Sequence, residues 1–180
     1  MKSGLFRRSP NTASIDALYG AIVAQARLPV FYRDYGVPDT VNGRLEMILI
    51  HTFLLSRRSR RGAADLQRIG QAVFDLFCDD MDANLREMGV GDLAVPKQMR
   101  RIGEAFYGSA RAYQAALDPN DPAALSEALL RNVFGGELQQ QSGAQRLAAY
   151  MKAADVELGS LPDTQLYQGR ISFPDPEMYV

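Results

Sequence analysis

The sequence predicts an all-α protein: a compact, single-domain bundle of about six helices around one central buried helix. Three observations predict it. Apolar residues recur at three- and four-residue spacing nearly throughout the chain, the period of a helix face. The run MILIHTFLL, Met47 to Leu55, is apolar on every side of such a helix, as expected of one enclosed by others. Pro, Gly and Asp punctuate the gaps between the periodic segments. The 180 residues are 47% hydrophobic and 23% charged, a composition able to bury a substantial core.

Residues 1–13 carry no apolar period and are expected to form a flexible leader. Ser14 is placed to cap the first helix, whose stripe is Ile15, Leu18, Ile22 and Ala26, ending before Pro29. PVFYRDYG follows as a short aromatic helical turn, and Gly36 stops it. The second long helix opens at Asp39 or Thr40 and contains MILIHTFLL. The third runs from about Ala63 to Met88, with Leu66, Ile69, Val73, Phe77, Met81 and Met88 on one side and Gly89 ending it. The fourth begins at VPKQM, with Pro96 in its first turn, and carries Val95, Met99, Ile102, Phe106, Tyr113 and Leu117 as a stripe. Gly103 and Ala110 at the stripe's edge are read as points where a neighbour approaches closely. Asp121 caps a short fifth helix ending at FGG, and SGAQRLAAYMKAADVEL is the last. The helical domain thus spans 14–160. Residues 161–180 lack a helical period and are expected to lie over the bundle, anchored by Leu166, Ile171 and Phe173.

Several function classes find no support. One cysteine, Cys78, and one histidine, His51, cannot make an internal disulfide or a Cys/His zinc cluster. Phosphate-loop, dinucleotide, zinc-protease and nucleophile-elbow motifs are absent. No enzyme, cofactor or metal role is therefore expected, and a histidine inside an apolar helix reads as a core residue. With a net charge of −1, no overall field drives the chain onto nucleic acid, and no DNA partner is expected. MILIHTFLL falls well short of the roughly 20 apolar residues that span a bilayer.

Three clusters of residues are candidates for binding or structure. Arg57, Arg58, Arg60 and Arg61 follow directly on the apolar run. Helix-end complementarity explains one or two arginines better than four, so an anion-facing role toward RNA, acidic lipid or an acidic protein surface is expected. Met81, Met88, Val95, Met99, Phe106 and Tyr107 could line a groove for apolar protein segments, because flexible thioethers adapt to varied side chains. Asp80 and Asn84 fall on an apolar helix side, where a carboxylate needs a partner. Arg44, His51 and Arg58 share one side of the preceding helix as the nearest candidates, and Arg44 and His51 are read as completing a structural polar network with them.

Two segments carry a family resemblance: FYRDYGVPDTVNGRLEMILIHTFLLSRR, residues 31–58, and LFCDDMDANLREMGVGDLAVPKQMRRIGEAFYG, residues 76–108. They resemble the ubiquinol–cytochrome c chaperone family in the order and spacing of DDMD, REMGVGD, VPK and EAFYG. The shared positions are Phe31, Tyr32, Arg33, Gly36, Arg44, Glu46, His51, Asp80, Met81, Arg86, Gly89, Gly91, Asp92, Pro96, Phe106 and Tyr107. The resemblance implies a non-enzymatic assembly chaperone that binds newly made cytochrome b for the respiratory cytochrome bc complex. It also implies a small partner subunit and a ribosome nearby, and the basic rim at Arg57 to Arg61 suits either ribosomal RNA or an anionic membrane surface. The short segment ahead of the first helix suggests a bacterial member, cytoplasmic and peripheral on the inner face of the membrane; a eukaryotic member would lie on the matrix side. Two rival readings are an adaptor using the arginine cluster on a membrane or ribosome, and a small-molecule or haem-binding protein using His51 or a methionine.

Overall fold

The computed structural model describes residues 11–180. Six long helices carry the fold: α1 (Thr12–Ala26), α3 (Val41–Arg60), α4 (Ala64–Glu87), α5 (Val95–Leu117), α6 (Pro122–Val133) and α7 (Gln141–Ser160). Two single-turn helices join them, α2 (Pro29–Arg33) and α8 (Asp163–Tyr167). Short 3₁₀ turns lie at Leu138–Gln140 and Pro176–Tyr179. The described residues contain no strand.

α3 is the central helix. Thr40 caps it, its Oγ1 accepting from the Gly43 N–H at 3.1 Å. Every residue from Met47 to Leu55 is buried, so the run apolar on all sides does lie among neighbours on all sides. Met47, Ile50 and Leu54 are 0% exposed, and burial of each such side chain contributes about 1.5–3 kcal/mol. α1, α4 and α7 pack around it, with α5 and α6 closing the far side.

Local chemistry sets the ends of the remaining helices. Asp121 caps α6 by accepting from the Ala123 and Ala124 N–H groups, both at 3.0 Å. α4 ends in a reciprocal pair of backbone bonds, Val90 N–H to Leu85 O and Gly89 N–H to Arg86 O, each 3.0 Å. Gly89 carries the positive φ of 82° that this ending requires, and the chain reverses there into α5.

Four local expectations are corrected. Asn11, not Ser14, caps α1, so Thr12 and Ala13 are helical; the rest of the expected leader, residues 1–10, lies outside the described residues. Ser14 instead donates to Tyr167 O at 2.9 Å, tying α1 to the C-terminal segment. Gly103 faces open space and marks no close approach. The segment 161–180 is not wholly irregular, since α8 and the last 3₁₀ turn lie within it. Leu166 is fully buried there, while Ile171 and Phe173 pack half-buried against the core. Tyr35 Oη donates to Pro176 O at 2.6 Å and Tyr179 stacks edge-on against Tyr150, which fasten its end.

Candidate functional site

The α4–α5 hairpin outgrows the bundle. Between Phe77 and Phe106 the sole buried residue is Val95. The apolar stripes predicted for both helices nonetheless continue into this region. Met81 and Ile102 are half-covered, Met99 is partly exposed, Met88 is 56% exposed and Leu93, in the turn, is 99% exposed. The tip is held in shape by Arg86, which bridges Asp82 at 2.6 Å and Asp92 at 2.5 Å. The result is a braced hairpin whose apolar residues are only partly covered by the rest of the chain.

Of the six residues expected to line an apolar groove, Met81, Met88 and Met99 lie on the two helices of this hairpin and none is fully buried. Val95, the first residue of α5, is 0% exposed and offers no surface. Phe106 is 6% exposed and stacks on Phe74 with ring centroids 4.8 Å apart. Tyr107 is 62% exposed and borders a different groove, shared with Arg60. The six therefore do not form one surface.

The arginine cluster divides. Arg57 and Arg58 are 3% and 8% exposed, and the structure turns both inward. Arg57 Nε donates to Asp155 at 2.8 Å and its Nη1 to Asp118 at 2.7 Å. Arg58 donates to the carbonyls of Leu158 and Leu161, at 2.9 and 2.7 Å, and pairs with Asp163 at 2.5 Å. These bonds fasten the end of α3 to α5, α7 and α8. The planar guanidinium reaches several acceptors at once, which accounts for arginine at both positions without an external anion. Only Arg60 and Arg61 of the four are exposed, and Arg61 Nη1 already lies 3.7 Å from Asp155.

The polar network expected of Arg44, His51, Asp80 and Asn84 does not exist as a unit. Asp80 finds its partner on α1, where Tyr19 Oη donates to it at 2.7 Å. Burial first, and Asp80 second, hold the Tyr19 hydroxyl above its ordinary pKa. Asn84 donates to Asp80 O one turn back. Arg44 pairs at the surface with Asp39 at 2.7 Å and lies over the Tyr32 ring. His51 is fully buried between Met47 O, 2.7 Å from Nδ1, and Tyr150 Oη, 2.8 Å from Nε2. Gln25 Nε2 donates to the same tyrosine oxygen at 3.0 Å. One assignment satisfies all three bonds: Nδ1–H donates to Met47, and Tyr150 donates to Nε2. Burial pushes the His51 pKa down to about 4, against the smaller opposing effect of the Met47 carbonyl.

Glu46 was not singled out among the candidate site residues. It is 8% exposed on α3, its Oε2 is buried, and no donor reaches that oxygen among the described residues. Burial pushes its pKa up to about 7. Its signal in the sequence is a carboxylate immediately preceding the all-apolar run. Among the described residues, no group of three or more His, Cys, Asp and Glu could hold a metal ion. No described helix is long and apolar enough to cross a membrane.

Comparison with known proteins identifies the relatives of this arrangement. Residues 33–173 match the family model described as Ubiquinol-cytochrome C chaperone. A Drosophila melanogaster protein named ubiquinol-cytochrome c reductase complex assembly factor 1 is 23% identical over 153 residues. That match takes in 82% of this chain and 59% of the fly protein, so the chain spans less than two thirds of that relative's length. The crystal structure of the Cbp3 homolog from Brucella abortus superimposes with a TM-score of 0.85 at 40% identity, covering 93% of this chain and 92% of that one.

Proposed function

Because the chain belongs to the Ubiquinol-cytochrome C chaperone family, we propose that it is a non-enzymatic assembly chaperone for ubiquinol–cytochrome c reductase and that its client is newly made cytochrome b. The observation that carries this reading is the half-covered apolar face of the α4–α5 hairpin. A membrane-protein client presents apolar helices before it is assembled. A face built from Met81, Met88, Leu93, Met99 and Ile102 offers them flexible, polarisable contacts on a braced support. The site of action is the inner face of the membrane, where such a client inserts, and the protein sits there peripherally.

The adaptor reading loses its basis in four arginines, since two of them are engaged within the bundle. The haem reading loses its histidine ligand, because both ring nitrogens of His51 are already bonded. A strain lacking the protein tests the proposal when supplied with variants. Met88→Glu combined with Leu93→Glu touches exposed positions only, so the fold should survive. Assembled cytochrome bc complex should be restored by the unaltered chain and not by this variant. Full restoration by the variant would refute the assignment of the hairpin face.

A further inference from the structure

A second surface lies along the second half of α5. Two adjoining cavities of about 260 and 380 Å³ share Arg60, Tyr107 and Ala110 and form one groove between the end of α3, α4 and α5. Its wall is aromatic: Phe74, Phe106 and Tyr107 stack with centroid separations of 4.8, 6.2 and 5.5 Å. Its floor is fixed by the close crossing of α3 and α4, where a Cβ on Gly70 would lie 2.6 Å from the Ser59 Cβ. Arg60 and Arg111 stand at the rim, both exposed, and neither forms an ion pair among the described residues. Arg57 and Arg58 nearby are buried and paired within the bundle, so the two rim arginines are the charges this groove can offer a partner.

The surroundings restrict what that partner can be. Gln71 and Gln114, which line the groove, hold Asp75 and Asp118 beside it at 2.8 and 2.7 Å. A run of phosphates, whether RNA or a lipid surface, would meet these carboxylates as well as the arginines. A single carboxylate set between Arg60 and Arg111 avoids them. We propose that this groove docks a protein segment that presents a bulky apolar side chain to Phe74, Phe106 and Tyr107 and one carboxylate to Arg60 and Arg111. The inference rests on the protein-binding role proposed above but not on the hairpin face: variants at Met88 and Leu93 leave both arginines intact, so the two assignments fail separately.

Fluorescence anisotropy with the full chain tests it. The probe is a labelled amphipathic helical peptide with leucines at i, i+3 and i+7 and one glutamate. Its twin carries glutamine in place of the glutamate. The glutamate peptide should bind about tenfold tighter than its twin, the effect of one charge-assisted contact. Arg60→Gln with Arg111→Gln should abolish that preference while circular dichroism stays unchanged. Tyr107→Ala should weaken both peptides. Equal binding of the two peptides, binding of neither, or a preference that survives the double arginine variant would overturn the proposal. So would phosphatidylglycerol vesicles or single-stranded RNA that bind through the same two arginines and displace the peptide.

Discussion

Replacing Glu46 by Gln should stabilise the protein in a way that grows with pH. The carboxyl is held on α3 at 8% exposure, its Oε2 has no donor among the described residues, and its pKa is pushed up to about 7 from 4.5. The folded state therefore prefers the neutral acid, while the unfolded chain ionises from pH 4.5 upward. Between these values the folded state binds more protons, so stability falls as pH rises and levels off above about pH 7. A gap of about 2.5 pKa units at 1.36 kcal/mol each amounts to about 3 kcal/mol over the whole window. About 2.5 kcal/mol of it falls between pH 5 and pH 8. Glutamine resembles the neutral acid in shape and cannot ionise. Urea unfolding of both proteins, followed by circular dichroism at pH 5 and pH 8, isolates the effect because every other titrating group cancels. Glu46→Gln should gain roughly 2–3 kcal/mol over the unaltered chain on going from pH 5 to pH 8. An equal difference at both values would show that the carboxyl is solvated or paired and would refute the reasoning.

Three further substitutions separate the buried arginine and histidine networks from surface features. Tyr150→Phe leaves His51 Nε2 and Gln25 without their shared partner and should cost about 1–3 kcal/mol in urea unfolding; no loss would mean that the buried triad of bonds does not hold. Arg57→Met leaves Asp155, 14% exposed in its side chain, with only the longer contact to Arg61 and should cost about 3 kcal/mol, whereas Arg60→Gln should change stability by less than about 0.5 kcal/mol; equal effects would contradict the division of the cluster into buried and exposed halves.

The helices were legible because their signals are local. Thr40 and Asp121 cap where their residue types say they should, Gly89 ends α4 through its own backbone freedom, and the period around Met47–Leu55 states that the helix is enclosed. The candidate sites were less legible because their partners come from far along the chain. Spacing on α3 cannot reveal that Asp118, Asp155 and Asp163 converge on Arg57 and Arg58 from three later helices. That Asp80 needs a partner was readable. That the partner is Tyr19, 61 residues earlier, was not, since Arg44 and His51 lay on the adjoining helix and looked nearer. Periodicity likewise extends the apolar stripe from Phe77 through Met88 without showing where the bundle stops covering it. That boundary depends on how far α1 and α3 reach, and it is what separates core methionines from exposed ones.

Contact between the α4–α5 tip and the client is the part of the proposed function most open to direct test. Photo-crosslinking in respiring cells tests it most directly, with a benzophenone amino acid placed at Met88, at Leu93 and, as a control, at Val156, which is 69% exposed on α7. Cytochrome b should be captured from positions 88 and 93 and not from 156. Capture from 156 alone, or none from the tip while the complex still assembles, would contradict the account.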